Sequence, residues 1–219
     1  MSFFSCNFEG DKIPDFLSWK IGEKPDGVKV QTGSLQIEPN YKTDFWRNTY
    51  YEPVLQAYNG HVLGLGMSEQ NFVAETRFAF NASIKFDHAG IFIGVDHTTW
   101  LKAGVELVDG KTWQSVVVTR NDYSDWSKAR LPWPDNTDIC LKVYRQGCSY
   151  VIEVSDNDGK SYDFVRIAHM PTTGPVTAGI MCCRPSSVEG AGAGIAPKGV
   201  CVDFKYFNIL ENKGYDHSA

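Results

Sequence analysis

FDHAGIFIGVDHTTWLKAGVELVDGKTWQSVVVTRNDYSDWS, residues 86–127, decides the fold class. Three apolar runs follow one another there, separated by turn-forming residues. In 100–108, WLKAGVELV, the residues Leu101, Ala103, Val105 and Leu107 alternate with Trp100, Lys102, Gly104 and Glu106. Successive side chains of a strand point to opposite faces, so the first set belongs in a core and the second on the other face. In 88–96, HAGIFIGVD, the core set is Ala89, Ile91, Ile93 and Val95. His88, Gly90, Phe92 and Gly94 face away. The connection at 97–99 is short, which makes the two strands neighbours. Asp109-Gly110 joins the second run to 113–120 as a hairpin, because this pair supplies the positive φ that tight turns need. The register of 113–120, WQSVVVTR, stays open, since both parities carry apolar residues. Either Trp113, Ser115 and Thr119 or Gln114 and Arg120 join the polar face. Residues 122–127, DYSDWS, read as an edge loop from which Asp125 and Trp126 overhang that face.

The same reading extends outward. Strands are predicted at 33–37, 71–80, 88–96, 100–108, 113–120, 137–145, 149–155, 163–169, 177–183 and 200–210, with Gly, Pro, Asn, Asp and Ser between them. No sustained helical periodicity is present. The pattern predicts an all-β protein, a two-sheet antiparallel β-sandwich, formed as one domain over 1–219. The Gly/Ala-rich stretch 184–199 is expected to be a mobile loop, and 211–219 a flexible tail.

Composition narrows the function. The chain has 219 residues, 13% aromatic, with a formal net charge of -5 and a pI near 5.5. An acidic chain without a basic run is a poor binder of phosphodiester backbones, so no nucleic-acid partner is expected. No apolar run reaches the length of a membrane span, and the first residues do not resemble a secretory signal. The six cysteines are scattered and lack the two-residue spacing of zinc sites. Free thiols and a cytoplasmic location are expected, with no metal and no cofactor.

The polar face defined above carries the candidate site. Lys102 and Glu106 lie two pleats apart, with His88 and Trp100 on the same face. Gly90, Gly94 and Gly104 lower the floor between them, since strand glycines mark close approach by a ligand or another backbone. Charges on one side of an antiparallel sheet also fit an ordinary solvated face, so both readings stand. A second aromatic group, 43–53 TDFWRNTYYEP, places Asp44, Trp46, Arg47, Tyr50 and Tyr51 together. Flat rings beside hydrogen-bonding side chains suit sugar binding, and an aromatic core edge fits equally. The segment 155–162, SDNDGKSY, loosely matches an Asp-box hairpin, which stabilises turns.

Catalysis by a glycosidase would need a second carboxylate beside Glu106. None lies at i±2 or i±4. Asp87 or Glu75 could supply it from another strand. No nucleophile elbow, phosphate loop or dinucleotide motif occurs.

The segments TDFW at 43–46, FDHAGIFIGVD at 86–96, WLKAGVELVDG at 100–110, SVVVTR at 115–120, SDWS at 124–127 and VDFKYFNI at 202–209 together resemble the "regulation of enolase" protein family, a domain of unknown function. The resemblance departs at His88, where the family favours Gln, and in the longer 184–199 stretch. It implies a concanavalin A-like jelly roll of the lectin/glucanase type, an intracellular protein, and a link to the glycolytic enzyme enolase. It supplies no catalytic residue.

The sequence therefore predicts a non-catalytic binding or regulatory protein. Its ligand would be a carbohydrate or sugar phosphate, held by Trp46, His88, Trp100, Lys102, Glu106, Asp125 and Trp126. The alternatives are a carbohydrate-active enzyme using Glu106 and a protein-interaction module that binds enolase.

Overall fold

The computed structural model describes residues 1–131, 137–156, 158–186 and 202–215. Most of the 184–199 loop and the end of the 211–219 tail lie outside the described residues. In chain order the strands are β1 (Ser2–Cys6), β2 (Ser18–Ile21), β3 (Gly27–Gln31), β4 (Ser34–Glu38), β5 (Phe45–Arg47), β6 (Gln56–Tyr58), β7 (His61–Met67), β8 (Asn71–Phe80), β9 (His88–Asp96), β10 (Thr99–Val108), β11 (Lys111–Arg120), β12 (Tyr123–Arg130), β13 (Ile139–Gln146), β14 (Ser149–Ser155), β15 (Asp163–His169), β16 (Val176–Cys183) and β17 (Val202–Glu211). One sheet runs β15-β14-β13-β8-β17-β4-β3, with β1 also paired to β17. The other runs β12-β11-β10-β9-β16-β7-β2, and β5-β6 form a separate two-stranded ribbon. All strand pairs are antiparallel, and the two large sheets form a sandwich.

The main core lies between the sheets. Leu101, Ala103 and Val105 of β10 meet Ile91 and Ile93 of β9, with Val116 and Val118 of β11. This settles the open register: Gly104 pairs Ser115 and Lys102 pairs Val117, so Trp113, Ser115, Val117 and Thr119 take the opposite face. Asp109 and Gly110 both have positive φ, as the predicted hairpin requires.

Four expectations need correction. Residues 122–127 are not a free loop, because β12 begins at Tyr123 and pairs with β11 along its length. Val95 does not face the core. The β9/β10 register slips between Thr99 and Trp100, leaving Val95 as an extra residue that is 45% exposed. Residues 211–215 are anchored rather than free: the Asn212 amide donates to Arg145 O at 3.0 Å, and the Tyr215 hydroxyl donates to Glu153 at 2.8 Å.

The fourth correction concerns the polar face of β9–β11. It is neither wet nor bare, because the ribbon and its flanking loops roof it. Phe45 and Trp46 of β5 pack there with Phe92, Trp100, Val117, Met181 and Cys183 as a second, smaller core. Gly60, beside the ribbon, leaves room for this contact. A Cβ there would lie 2.1 Å from the Phe45 ring and 2.4 Å from Cys183 Sγ.

Candidate functional site

Strand β10 projects Lys102 and Glu106 toward the ribbon, and both are buried, at 5% and 7% exposure. A cavity of about 170 Å3 opens above them. Its walls include Asp44, Trp46, Tyr51, Leu55, Val117 and Trp126. Two tryptophans and a tyrosine, two carboxyl groups and one ammonium therefore converge on a single small space.

The polar groups are held by a short network. Lys102 Nζ donates to Asp44 Oδ1 at 3.3 Å and approaches His88 Nε2 at 3.0 Å. His88 Nδ1 sits 2.9 Å from Phe86 O. A carbonyl only accepts, so Nδ1 carries the proton and Nε2 accepts from Lys102. Asp44 Oδ1 also accepts from the Phe45 backbone N–H at 2.7 Å. Ser115 donates to Glu106 Oε2 at 2.8 Å and accepts from Trp126 Nε1 at 2.9 Å. The indole N–H of Trp46 is spent on Thr49 O at 3.0 Å.

Each carboxylate thus engages one oxygen. Asp44 Oδ2 and Glu106 Oε1 make no hydrogen bond among the described residues, yet neither is sealed from solvent. Among the described residues, the buried side-chain polar atoms without a partner are Tyr150 Oη and Asp203 Oδ1, both elsewhere. The two free oxygens retain access through the cavity that their residues line.

Burial and charge push the two acids apart. Burial raises the Glu106 carboxyl above the ordinary range, and Lys102 and Ser115 only partly oppose it. Burial would raise Asp44 too, but the charge of Lys102 and the hydrogen bonds from Lys102 and the Phe45 N–H outweigh it and hold the carboxyl low. Burial pulls Lys102 down, yet the carboxylates of Asp44 and Glu106 more than compensate, so it stays charged.

His88 is driven down to about 3, first by burial and then by the Lys102 charge. A base whose folded pKa lies below its unfolded value contributes stability at neutral pH that is lost on acidification. The loss begins near 6.5 and continues toward 3. Between pH 7 and pH 5, His88 alone is expected to cost about 2 kcal/mol. Urea midpoints at the two pH values check this, and in His88→Gln the difference shrinks by that amount.

The structure brings Trp46, Lys102, Glu106 and Trp126 to one cavity. Three other sequence-predicted residues do not line this cavity. His88 is beneath Lys102, where its ring orients the ammonium and does not reach the cavity wall. Trp100 is fully buried, stacked on Phe92 at 6.0 Å, with its N–H on His97 O. It supports the floor and offers no stacking face. Asp125 lies outside this cavity, on the rim of an adjoining depression that also includes Trp46, Tyr51 and Trp126, and it pairs with Arg166 of the other sheet at 3.0 Å. The second carboxylate is neither Asp87 nor Glu75. Asp87 is bound by Arg184, and Glu75 accepts from Asn208 on the other sheet. It is Asp44, from the TDFW segment. Tyr51 comes from the aromatic group read at 43–53 and Ser115 from the register alternative that the structure selects, whereas Leu55 also belongs to the site and was not predicted for it.

The glycines act on backbone spacing. A Cβ on Gly104 would lie 2.0 Å from Ala89 O, and one on Gly90 would lie 2.0 Å from Ala103 O. Close approach of another backbone, rather than of a ligand, accounts for this pair.

Comparison with known proteins gives four findings. The family model described as "Protein of unknown function (DUF1349)" matches residues 22–211. A Saccharomyces cerevisiae protein named "Regulation of enolase protein 1" is 36% identical over 162 residues, covering 74% of this chain and 79% of its own. The crystal structure of a functionally unknown S. cerevisiae protein superposes with a TM-score of 0.75 at 30% identity, covering 91% of this chain and 98% of that one. A xyloglucan-locus GH43B protein of Bacteroides ovatus gives 0.68 at 13% identity, covering 94% of this chain and 39% of that one, which shows a shared fold alone.

Proposed function

The chain belongs to the DUF1349 family, and we propose that it is a non-catalytic binding protein for a neutral carbohydrate. One observation carries this reading. Two carboxylate oxygens, Asp44 Oδ2 and Glu106 Oε1, are left without donors in an aromatic-walled cavity. A sugar supplies hydroxyl donors to both, while its C–H faces pack on Trp46 and Trp126. A sugar phosphate fits less well. The single cation lining the cavity, Lys102, is already paired with Asp44, and the Glu106 carboxyl adds oxygen acceptors rather than a second cation. A phosphate brings acceptors where acceptors are in surplus. The described cysteines Cys6, Cys140, Cys148 and Cys183 are free thiols, which supports a reducing compartment such as the cytoplasm.

The test is calorimetric titration with glucose, galactose, mannose, xylose, arabinose and glucose 6-phosphate. A neutral sugar is expected to bind at least tenfold more tightly than the phosphate. Lys102→Ala and Glu106→Ala are each expected to weaken binding tenfold or more, since a charge-assisted hydrogen bond contributes about 1.5–3 kcal/mol. If no sugar binds, or if both variants bind like the wild type, the reading fails.

A second reading rests on the opposed acids. Burial raises Glu106 while Lys102 lowers Asp44, and two carboxyl groups pushed in opposite directions are the pair a glycosidase uses as acid and base. Asp44 is tied to Lys102, which weakens it as a nucleophile and favours binding over turnover. Release of p-nitrophenol from glycosides of the bound sugar, abolished by Glu106→Gln, would replace the first reading with this one. The name of the yeast relative further supports a regulatory link to enolase. Capture of purified enolase by both wild type and Lys102→Ala would place that interaction outside the cavity.

A further inference from the structure

The cavity does not end at its own walls. On one flank it shares Trp46, Tyr51 and Trp126 with an open depression of about 450 Å3, to which Thr49, Tyr50, Ser124 and Asp125 are added. On the other it shares Asp44, Leu55 and Pro185 with a depression of about 570 Å3, extended by Lys42, Gln56 and Tyr58. The two depressions lie at the start and the end of the segment 49–55, with the cavity between them. A lone monosaccharide would occupy only the middle of this trough.

The flanks differ in chemistry. Tyr50 is 89% exposed, and its backbone is held at φ +75°. A bulky residue at positive φ is strained, and such strain persists where the surrounding structure imposes it, often at ligand sites. Nothing in the core benefits from this conformation, since the ring points outward. Its sole aromatic partner among the described residues is Tyr51, edge to face at 5.5 Å, and Tyr51 meets Trp46 in the same way at 5.5 Å. The three rings form a stepped aromatic wall leading out of the cavity. The opposite flank is mixed, with more polar groups than the first: Lys42, Gln56 and Asn59 stand beside Tyr58 and Pro185, and the Gln56 amide leans on Asn48 at 2.6 Å.

We propose that the ligand is an oligosaccharide of at least three neutral sugar units. This rests on the carbohydrate reading above and specifies its substrate class. The middle unit sits over Lys102, Asp44 and Glu106. One neighbour stacks on Tyr50 and Trp126. The other places its hydroxyls against Lys42 and Gln56. The aromatic end selects a unit by its apolar face and the polar end by its hydroxyls, which gives the bound chain a direction.

The probes are the gluco, xylo and manno series, each from the monosaccharide to the tetrasaccharide in β-1,4 linkage, titrated by calorimetry. Affinity is expected to rise at each step to the trimer, by roughly three- to tenfold for the unit on the aromatic wall, and to level off at the tetramer. Tyr50→Ala is expected to lose the gain of the stacked unit, and Tyr50→Phe to keep it. The exposure of Tyr50 leaves folding unaffected by either change. If a monosaccharide binds but no longer chain binds more tightly, the inference is overturned and the binding reading stands. Equal trimer affinity in Tyr50→Ala and the wild type also overturns it. If neither the monosaccharides nor any chain binds, both readings fall together.

Discussion

Arg184→Met is expected to lower the unfolding free energy by about 3–5 kcal/mol, because it strands a buried charge. Asp87 is fully buried, and Arg184 grips both its oxygens, with Nε 3.1 Å from Oδ1 and Nη2 3.1 Å from Oδ2. A third donor, Nη1, reaches Glu38 at 2.7 Å. Methionine keeps most of the volume and removes every donor. Removing one partner of such a pair costs far more than the pair contributes, because the remaining ion keeps its desolvation penalty. The midpoint of thermal unfolding should fall by roughly 10 °C for a chain of this length. Adding Asp87→Asn to Arg184→Met is expected to recover part of the loss, and a double variant no more stable than the single one would refute the stranded-charge account. The site should feel the change too. The Arg184 backbone exchanges bonds with Thr43, at 3.0 and 3.1 Å, so this residue fixes the segment that delivers Asp44.

Gly104→Ala is expected to cost about 3 kcal/mol or more, the upper part of the range for overpacking. The added methyl would meet Ala89 O at 2.0 Å and Gly90 Cα at 2.7 Å. Both are backbone atoms of a central strand, so no side-chain rotation relieves the contact. The β9 and β10 strands must separate, and Lys102 and Glu106 move with them. Gly66→Ala is the matched control. Nothing lies within 4 Å of a Cβ there, so the change is expected to be neutral or to stabilise by about 0.4–1 kcal/mol. Equal urea midpoints for the two variants would refute the close-approach argument.

The strands of the main sandwich were legible because alternation is a local signal. Leu101, Ala103 and Val105 show their common face without reference to anything distant. The edge and ribbon strands were less so. In β5, FWR, three residues are too few to display a period, and in β7, HVLGLGM, two glycines interrupt it. The bulge that exposes Val95 left no local trace, since it depends on where β10 starts pairing.

The site divides in the same way. Lys102 and Glu106 could be assigned to one face from β10 alone, and Trp126 could be placed near them through the hairpin. Asp44 could not be assigned. It lies 58 positions from Lys102 in sequence and reaches it only because the ribbon folds back over the sheet. The same roof made Trp100 a buried support and turned His88 into a neutral acceptor beneath the ammonium. The sequence by itself determined which residues share a face, because that follows from the two-residue period of a strand. The tertiary structure alone decided which face is covered, which carboxylates meet and which oxygens stay free. Those outcomes rest on contacts between distant segments, whose geometry no local period encodes.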